Sequence, residues 1–203
     1  MSIRLATGGR LLDKSRRLNF TFNGKSFNGH PGDTLASALL ANDQLLLGRS
    51  FKYHRPRGVV ASGAEEPNAL VGLGEGDKFE PNQRVTTTEL FDGLTCQSQN
   101  HWPSLEHDIG AVNSTLSRFL PAGFYYKMFM HPRPLWKHVY EPIIRRSAGL
   151  GKAPKQADPD KYEHFHAYTD VLVIGGGVAG LVAARAAAQS GAKVILLVGR
   201  AHV

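Results

Sequence analysis

Gly175, Gly177 and Gly180 stand at the fixed positions of G-x-G-x-x-G within the run Gly175-Gly176-Gly177-Val178-Ala179-Gly180. Each glycine has a separate physical task. Gly175 permits a tight turn, Gly177 lets backbone approach a diphosphate, and Gly180 permits close helix–strand contact. The first N–H groups of a following helix lack intrahelical partners and carry the positive end of its dipole. A diphosphate can therefore rest there without a dedicated cation.

The flanking residues supply the elements that such a loop needs. Thr169–Ile174 (TDVLVI) is a short apolar run, suited to a parallel strand. LVAARAAAQS reads as an Ala-rich helix closed by Ser190-Gly191, and Ala192–Val198 (AKVILLV) as the next parallel strand. Together they predict the opening βαβ of an α/β Rossmann dinucleotide-binding domain over residues 169–203. The acidic residue that would bond a ribose should close the second strand, where the chain has Val198-Gly199-Arg200. Arg200 offers a 2′-phosphate contact instead.

Upstream, Leu18, Phe20 and Phe22 alternate with Asn19 and Thr21, the period of a half-buried strand. Asn23-Gly24 predicts a tight hairpin returning through Ser26-Phe27. Asp33 is expected to cap a short helix carrying Leu35, Ala36, Leu39 and Leu40 on one face. Further strands are expected near Ala69–Leu73 and Val85–Leu90. Residues 1–97 thus read as a small α+β domain of β-grasp type. Residues 98–168 read as a connecting region rich in aromatics and proline. Its run FLPAGFYYKMFMHPRPLWKHVYEPIIRR is broken by Pro121, Pro132, Pro134 and Pro142, which predicts short pieces rather than one helix. GKAPKQADPDKYEH is the linker that follows.

Composition narrows the chemistry. The 203 residues carry a formal net charge of +7, which favours phosphates, nucleic acid or an acidic partner. In GRSFKYHRPRG, Arg49, Lys52, His54, Arg55 and Arg57 alternate with Phe51 and Tyr53, as in a nucleic-acid patch. The proline, glycine and acidic pair Glu65-Glu66 that follow favour a structural or subunit-contact loop. His131 and His138 have no carboxylate at ligand spacing and read as ordinary histidines. The single cysteine, Cys96, reads as a packing residue, so neither a metal site nor an iron–sulfur cluster is expected. No window approaches the length of a membrane span, and the start of the chain lacks the apolar core of a secretory signal. A cytoplasmic protein is the expectation.

Three stretches, GDTLASALLAND, GRSFKYHRPRGVVASGAEEPNALV and DVLVIGGGVAGLVAARAA, together resemble the alpha subunit of heterotetrameric sarcosine oxidase. The resemblance runs over essentially the whole chain, and FKYHRPRG and EEPNALV are its specific part. It implies that the first domain resembles a two-iron, two-sulfur ferredoxin domain without its cluster, because Val59–Ala69 holds none of the cysteines of related opine and cyanide-forming dehydrogenase subunits. It implies NAD at residues 175–180, with FAD or FMN and tetrahydrofolate in a full complex. It implies beta, gamma and delta subunits as partners, with no nucleic acid and no membrane. The parent activity would be oxidative demethylation of sarcosine, with the methyl carbon passed to tetrahydrofolate or released as formaldehyde. The chain reads as a truncated portion of that subunit, inactive alone, with no catalytic residue assigned. The alternatives are a non-enzymatic interaction module and a subunit of a related opine or amine dehydrogenase.

Overall fold

In the computed structural model, residues 3–119, 123 and 131–199 are described. The chain divides into two compact units, Met1–Pro159 and Asp160–Val203.

The first unit opens on the predicted hairpin. Strands β1 (Leu18–Phe22) and β2 (Lys25–Gly29) pair antiparallel from Leu18 opposite Gly29 to Phe22 opposite Lys25. The turn holds Asn23 at φ 49° and Gly24 at φ 75°, the paired positive angles that match the twist of a two-residue hairpin. Leu18, Phe20 and Phe22 all point into the core.

Helix α1 (Leu35–Ala41) buries Leu35, Ala36, Ala38 and Leu39. Its cap corrects the sequence expectation by one residue. Thr34, not Asp33, is the N-cap, because Thr34 Oγ1 accepts from Ser37 N while Ser37 Oγ accepts from Thr34 N. Asp33 is drawn inward instead, where its carboxylate accepts from Arg4, His30 N and Ser37 Oγ.

A two-residue pairing joins β3 (Gly48–Arg49) to β4 (Pro56–Arg57). The main sheet is completed by β5 (Leu70–Leu73), β6 (Glu80–Arg84) and β7 (Leu94–Ser98), in the order β2-β1-β7-β5-β6. β1 and β7 run parallel and the other neighbours antiparallel. That order, with α1 packed into the sheet's core, is the β-grasp arrangement the sequence predicted. The core gathers Phe20, Phe22, Leu35, Leu39, Leu47, Val71, Val85, Leu94, Cys96 and Leu105.

The strand expected at Val85–Leu90 does not form. Thr88 N bonds back to Arg84 O, so the β-branched Thr86-Thr87-Thr88 run makes a turn. Val85 and Leu90 are buried all the same, because Val85 N reaches Ala69 O and Leu90 N reaches Asp33 O. The strand lies upstream at Glu80–Arg84, a polar edge strand where Pro81 forfeits no interior hydrogen bond.

Beyond the sheet the described residues form short pieces: α2 (Val112–Thr115), then a π-helical segment Trp136–Tyr140 running into α3 (Glu141–Ser147) with Pro142 in its first turn. Pro121 and most of the aromatic run before His131 lie outside the described residues.

The second unit is a single right-sized repeat of strand, helix and strand. β8 (Val171–Ile174) and β9 (Val194–Leu197) pair parallel, Val171 opposite Val194 and Ile174 opposite Leu197. Helix α4 (Val178–Gln189) connects them. None of its described residues is buried, so the unit is held by backbone pairing and one helix face.

Candidate functional site

The glycine loop lies where β8 ends and α4 begins. Gly175 adopts φ 109°, a region closed to side chains, and its N–H reaches across to Leu197 O at 2.8 Å. The loop is thereby tied to the end of the second strand. Gly180, in the first turn of α4, passes so close that a Cβ there would overlap the carbonyl oxygen of Gly175. Gly177 is the opposite case. It is the N-cap of α4 with extended backbone, φ −72° and ψ 174°, and a Cβ on it would meet nothing within 4 Å.

That contrast has a chemical reading. Gly180 is required by packing inside the protein, while the space beside Gly177 is open. No side chain caps α4, and the turn bond of Leu181 N to Gly177 O at 2.9 Å is the first that closes. The amides of Val178, Ala179 and Gly180 thus begin the helix at its positive end, where an anion is favoured by about 0.3–1 kcal/mol even at an exposed position. Val198 and Gly199 follow β9 without a carboxylate, and Arg200 lies outside the described residues.

The other residues singled out by sequence have separate surroundings. Arg49 is buried, and its guanidinium donates to three backbone carbonyls: Leu105 (2.9 and 2.6 Å), Glu106 (3.1 Å) and His54 (3.2 Å). It is spent inside the fold and is not offered to a phosphate. Lys52 and Arg55 lie over the Tyr53 ring, 4.9 and 4.8 Å from its centroid, and Arg55 also donates to Ser114 Oγ. The loop is therefore braced by its own aromatics and by its neighbours. Cys96 is fully buried on β7, its Sγ donating to Thr21 O at 3.0 Å, and burial pushes the thiol up to about 12. His138 sits in the π-helical segment, and His131 accepts from Tyr140 through its backbone carbonyl. Among the described residues, no group of three or more His, Cys, Asp or Glu is placed to hold a metal. No described helix is long and apolar enough to cross a membrane.

Sequence reasoning missed Glu66. Its carboxylate is buried and accepts four backbone N–H groups, from Val60 (2.7 Å), Ala61 (2.9 Å), Asn68 (3.0 Å) and Ala69 (3.3 Å). Burial raises the pKa of this group, but the four N–H bonds outweigh it and hold the carboxyl below its usual value. The sequence signal was the acid-Pro-Asn turn at Glu66-Pro67-Asn68, where a carboxylate can fold back on its own loop.

An α+β domain carrying a ferredoxin-like sheet, followed by a glycine-loop βαβ unit, is the class that these features define. Residues 15–101 match the family described as 2Fe-2S iron-sulfur cluster binding domain, and residues 170–202 match the family glucose inhibited division protein A. Over 97% of its length the chain is similar to the alpha subunit of sarcosine oxidase. It is 60% identical over 196 residues to that subunit from Rhizobium meliloti (strain 1021) and spans 20% of that protein's length. The corresponding subunit of Corynebacterium sp. (strain U-96) is 34% identical over 194 residues, 94% of this chain and 15% of its own length. A solved L-proline dehydrogenase from P. horikoshii aligns with 91% of this chain and 25% of its own, at 18% identity and a TM-score of 0.41.

The first match corrects one expectation. From the single cysteine no iron–sulfur cluster was expected in this ferredoxin-like domain, and the match of residues 15–101 to a 2Fe-2S cluster binding family contradicts that. Counting cysteines tests the supply of ligands and says nothing of the family to which a sheet belongs. The residues present do not fit the family's usual cradle of four thiolates. The chain holds one thiol, and Cys96 is enclosed in the core and bonded to Thr21. In the segment Val59–Ala69, the inward-facing anion is the Glu66 carboxylate, already filled by backbone donors.

Proposed function

We propose that the chain forms the β-grasp module and the opening Rossmann βαβ of a sarcosine oxidase alpha-type subunit, and that residues 175–180 receive the diphosphate of a dinucleotide. Three regions make up this reading: a β-grasp domain over 1–97, a connecting segment over 98–168 and the dinucleotide-binding start over 169–203. The observation that carries it is the pairing of a packed Gly180 with an open Gly177 at an uncapped helix start. A merely structural turn would need the first feature and not the second.

In this reading the backbone N–H groups of Val178, Ala179 and Gly180 hold the diphosphate oxygens, and Gly177 keeps the approach clear. The nucleotide is NAD, and the complex oxidises sarcosine with flavin and folate bound elsewhere in its subunits. This segment binds and orients. It moves no proton and contributes no reacting group.

The test is a titration of the chain with NAD and, separately, with FAD, read by amide chemical shifts. Shifts confined to Gly175–Leu181, half-saturating near millimolar, are expected. The affinity is weak because Val198 and Gly199 offer no carboxylate to a ribose, and losing about 4 kcal/mol of contacts turns micromolar into about millimolar. Absence of shifts at these amides up to about 10 mM, about ten times that dissociation constant, overturns the assignment.

A further inference from the structure

We propose that the cleft beside the β3–β4 turn, walled by His54, His101 and Arg146, binds a small oxyanion, either a carboxylate or a phosphate group. This site belongs to the first unit and is independent of the glycine loop.

Three observations carry it. His54 is held in place from every side. It sits at φ 52°, a left-handed conformation that a histidine keeps only when its surroundings enforce it. Its N–H donates to Ser50 O at 3.0 Å, its carbonyl accepts from Arg49, and a Cβ on Gly110 would overlap its ring. Its Nδ1 lies 2.6 Å from Oδ2 of Asp108, whose side chain is fully buried. Burial works to raise the Asp108 pKa, but donation from Trp102 N, His54 and Gly110 N outweighs it, and the carboxyl stays below its usual value. Asp108 is thus ionised, Nδ1 carries the proton, and Nε2 is the ring nitrogen left for a ligand.

His101 supplies the second observation. Its Nε2 lies 2.7 Å from Ser98 Oγ, while its Nδ1 is enclosed with no partner among the described residues. Buried polar atoms are nearly always paired, so an unpaired one in a residue that lines the cleft marks a place where the bonding is incomplete.

Charge is the third. The cleft encloses about 500 Å³, enough for a small ligand. Among the described residues Asp108 is the single carboxylate lining it, and both of its oxygens are filled, Oδ1 by Trp102 N and Gly110 N at 3.0 Å each and Oδ2 by His54. What remains to be satisfied is two imidazoles and the exposed guanidinium of Arg146. Arg146 can donate to an oxyanion through two parallel N–H groups, and each imidazole can donate from its second ring nitrogen in the doubly protonated form.

The test follows the imidazole nitrogens of the chain by NMR during titration with sodium acetate or sodium phosphate at constant ionic strength, with sodium chloride as control. Saturable shifts at His54 Nε2 and His101 Nδ1 with acetate or phosphate, half-complete at millimolar concentration, are expected. The tighter of the two anions identifies the group that the cleft takes. Arg146→Gln, on an exposed side chain, should weaken the saturating anion five- to tenfold while the amide spectrum stays that of the folded chain. Shifts that never saturate, that chloride reproduces, or that survive Arg146→Gln unchanged would make His54 and Asp108 a structural clasp and overturn the site.

Discussion

The guanidinium of Arg4 grips the carboxylate of Asp33 through two parallel hydrogen bonds, 3.0 Å to Oδ1 and 2.7 Å to Oδ2. Asp33 is fully enclosed and Arg4 largely so, and the pair ties the first residues of the chain to the start of α1. Arg4→Ala leaves a buried carboxylate with only His30 N and Ser37 Oγ, and should lower unfolding stability by about 2–4 kcal/mol. The shift of the urea midpoint measures it. A midpoint unchanged from the parent would mean that Arg4 contributes nothing to the fold.

Glu66 should make the domain acid-sensitive. Its folded pKa is depressed, so its contribution is complete above its unfolded value near 4.5 and is lost as pH falls through the folded value. Glu66→Gln keeps the size of the side chain and removes the charge that four N–H groups share. It should cost about 2 kcal/mol at neutral pH. Urea titrations of the two proteins between pH 7 and 3 should converge as the carboxyl of the parent protonates. Parallel curves would rule out the role given to Glu66.

Gly177 and Gly180 should separate binding from folding. Gly177→Ala adds a Cβ in open space, so α4 should persist while dinucleotide affinity falls about tenfold or more, equivalent to about 1.4 kcal/mol. Gly180→Val should instead disturb the unit itself, since its Cβ overlaps Gly175 O. Circular dichroism and amide shifts of the two variants distinguish these outcomes. Equal losses of helix from both would show that Gly177 is also a packing glycine.

Cys96 should resist alkylation in the folded chain. A thiol raised to about 12 and enclosed in the core presents almost no thiolate at neutral pH. Iodoacetamide labelling should be slower than for the urea-unfolded chain by about a thousandfold, a factor set by stability rather than by chemistry alone. Comparable rates in the two states would place the thiol at the surface.

Much of this was legible in the chain because local signals agreed. Leu18, Phe20 and Phe22 declared their face by alternation, Asn23-Gly24 declared the hairpin, and Gly175–Gly180 declared its turn by its spacing between an apolar strand and an Ala-rich helix. The failures have physical causes. Thr86-Thr87-Thr88 has the composition of a strand, but hydrogen bonds from Thr87 and Thr88 back to Arg84 curl it into a turn. Glu80–Arg84 carries no alternating apolar signal because an edge strand needs no apolar face. The burial of Glu66 and Asp108 was not legible, since nothing in a one-dimensional pattern reveals that several N–H groups will converge on one carboxylate. The His54–Asp108 pairing spans 54 positions, beyond the reach of any local pattern.

The burial of Arg49 has a consequence for how this sequence can drift. One planar fork serves carbonyls of Leu105, Glu106 and His54, so a single side chain joins the β3–β4 hairpin to a loop more than fifty positions downstream. A lysine carries the same charge, but its point-like head cannot donate to three carbonyls in one plane. Substitution at 49 therefore loosens two distant loops at once, and a tolerated change there needs compensating changes in both.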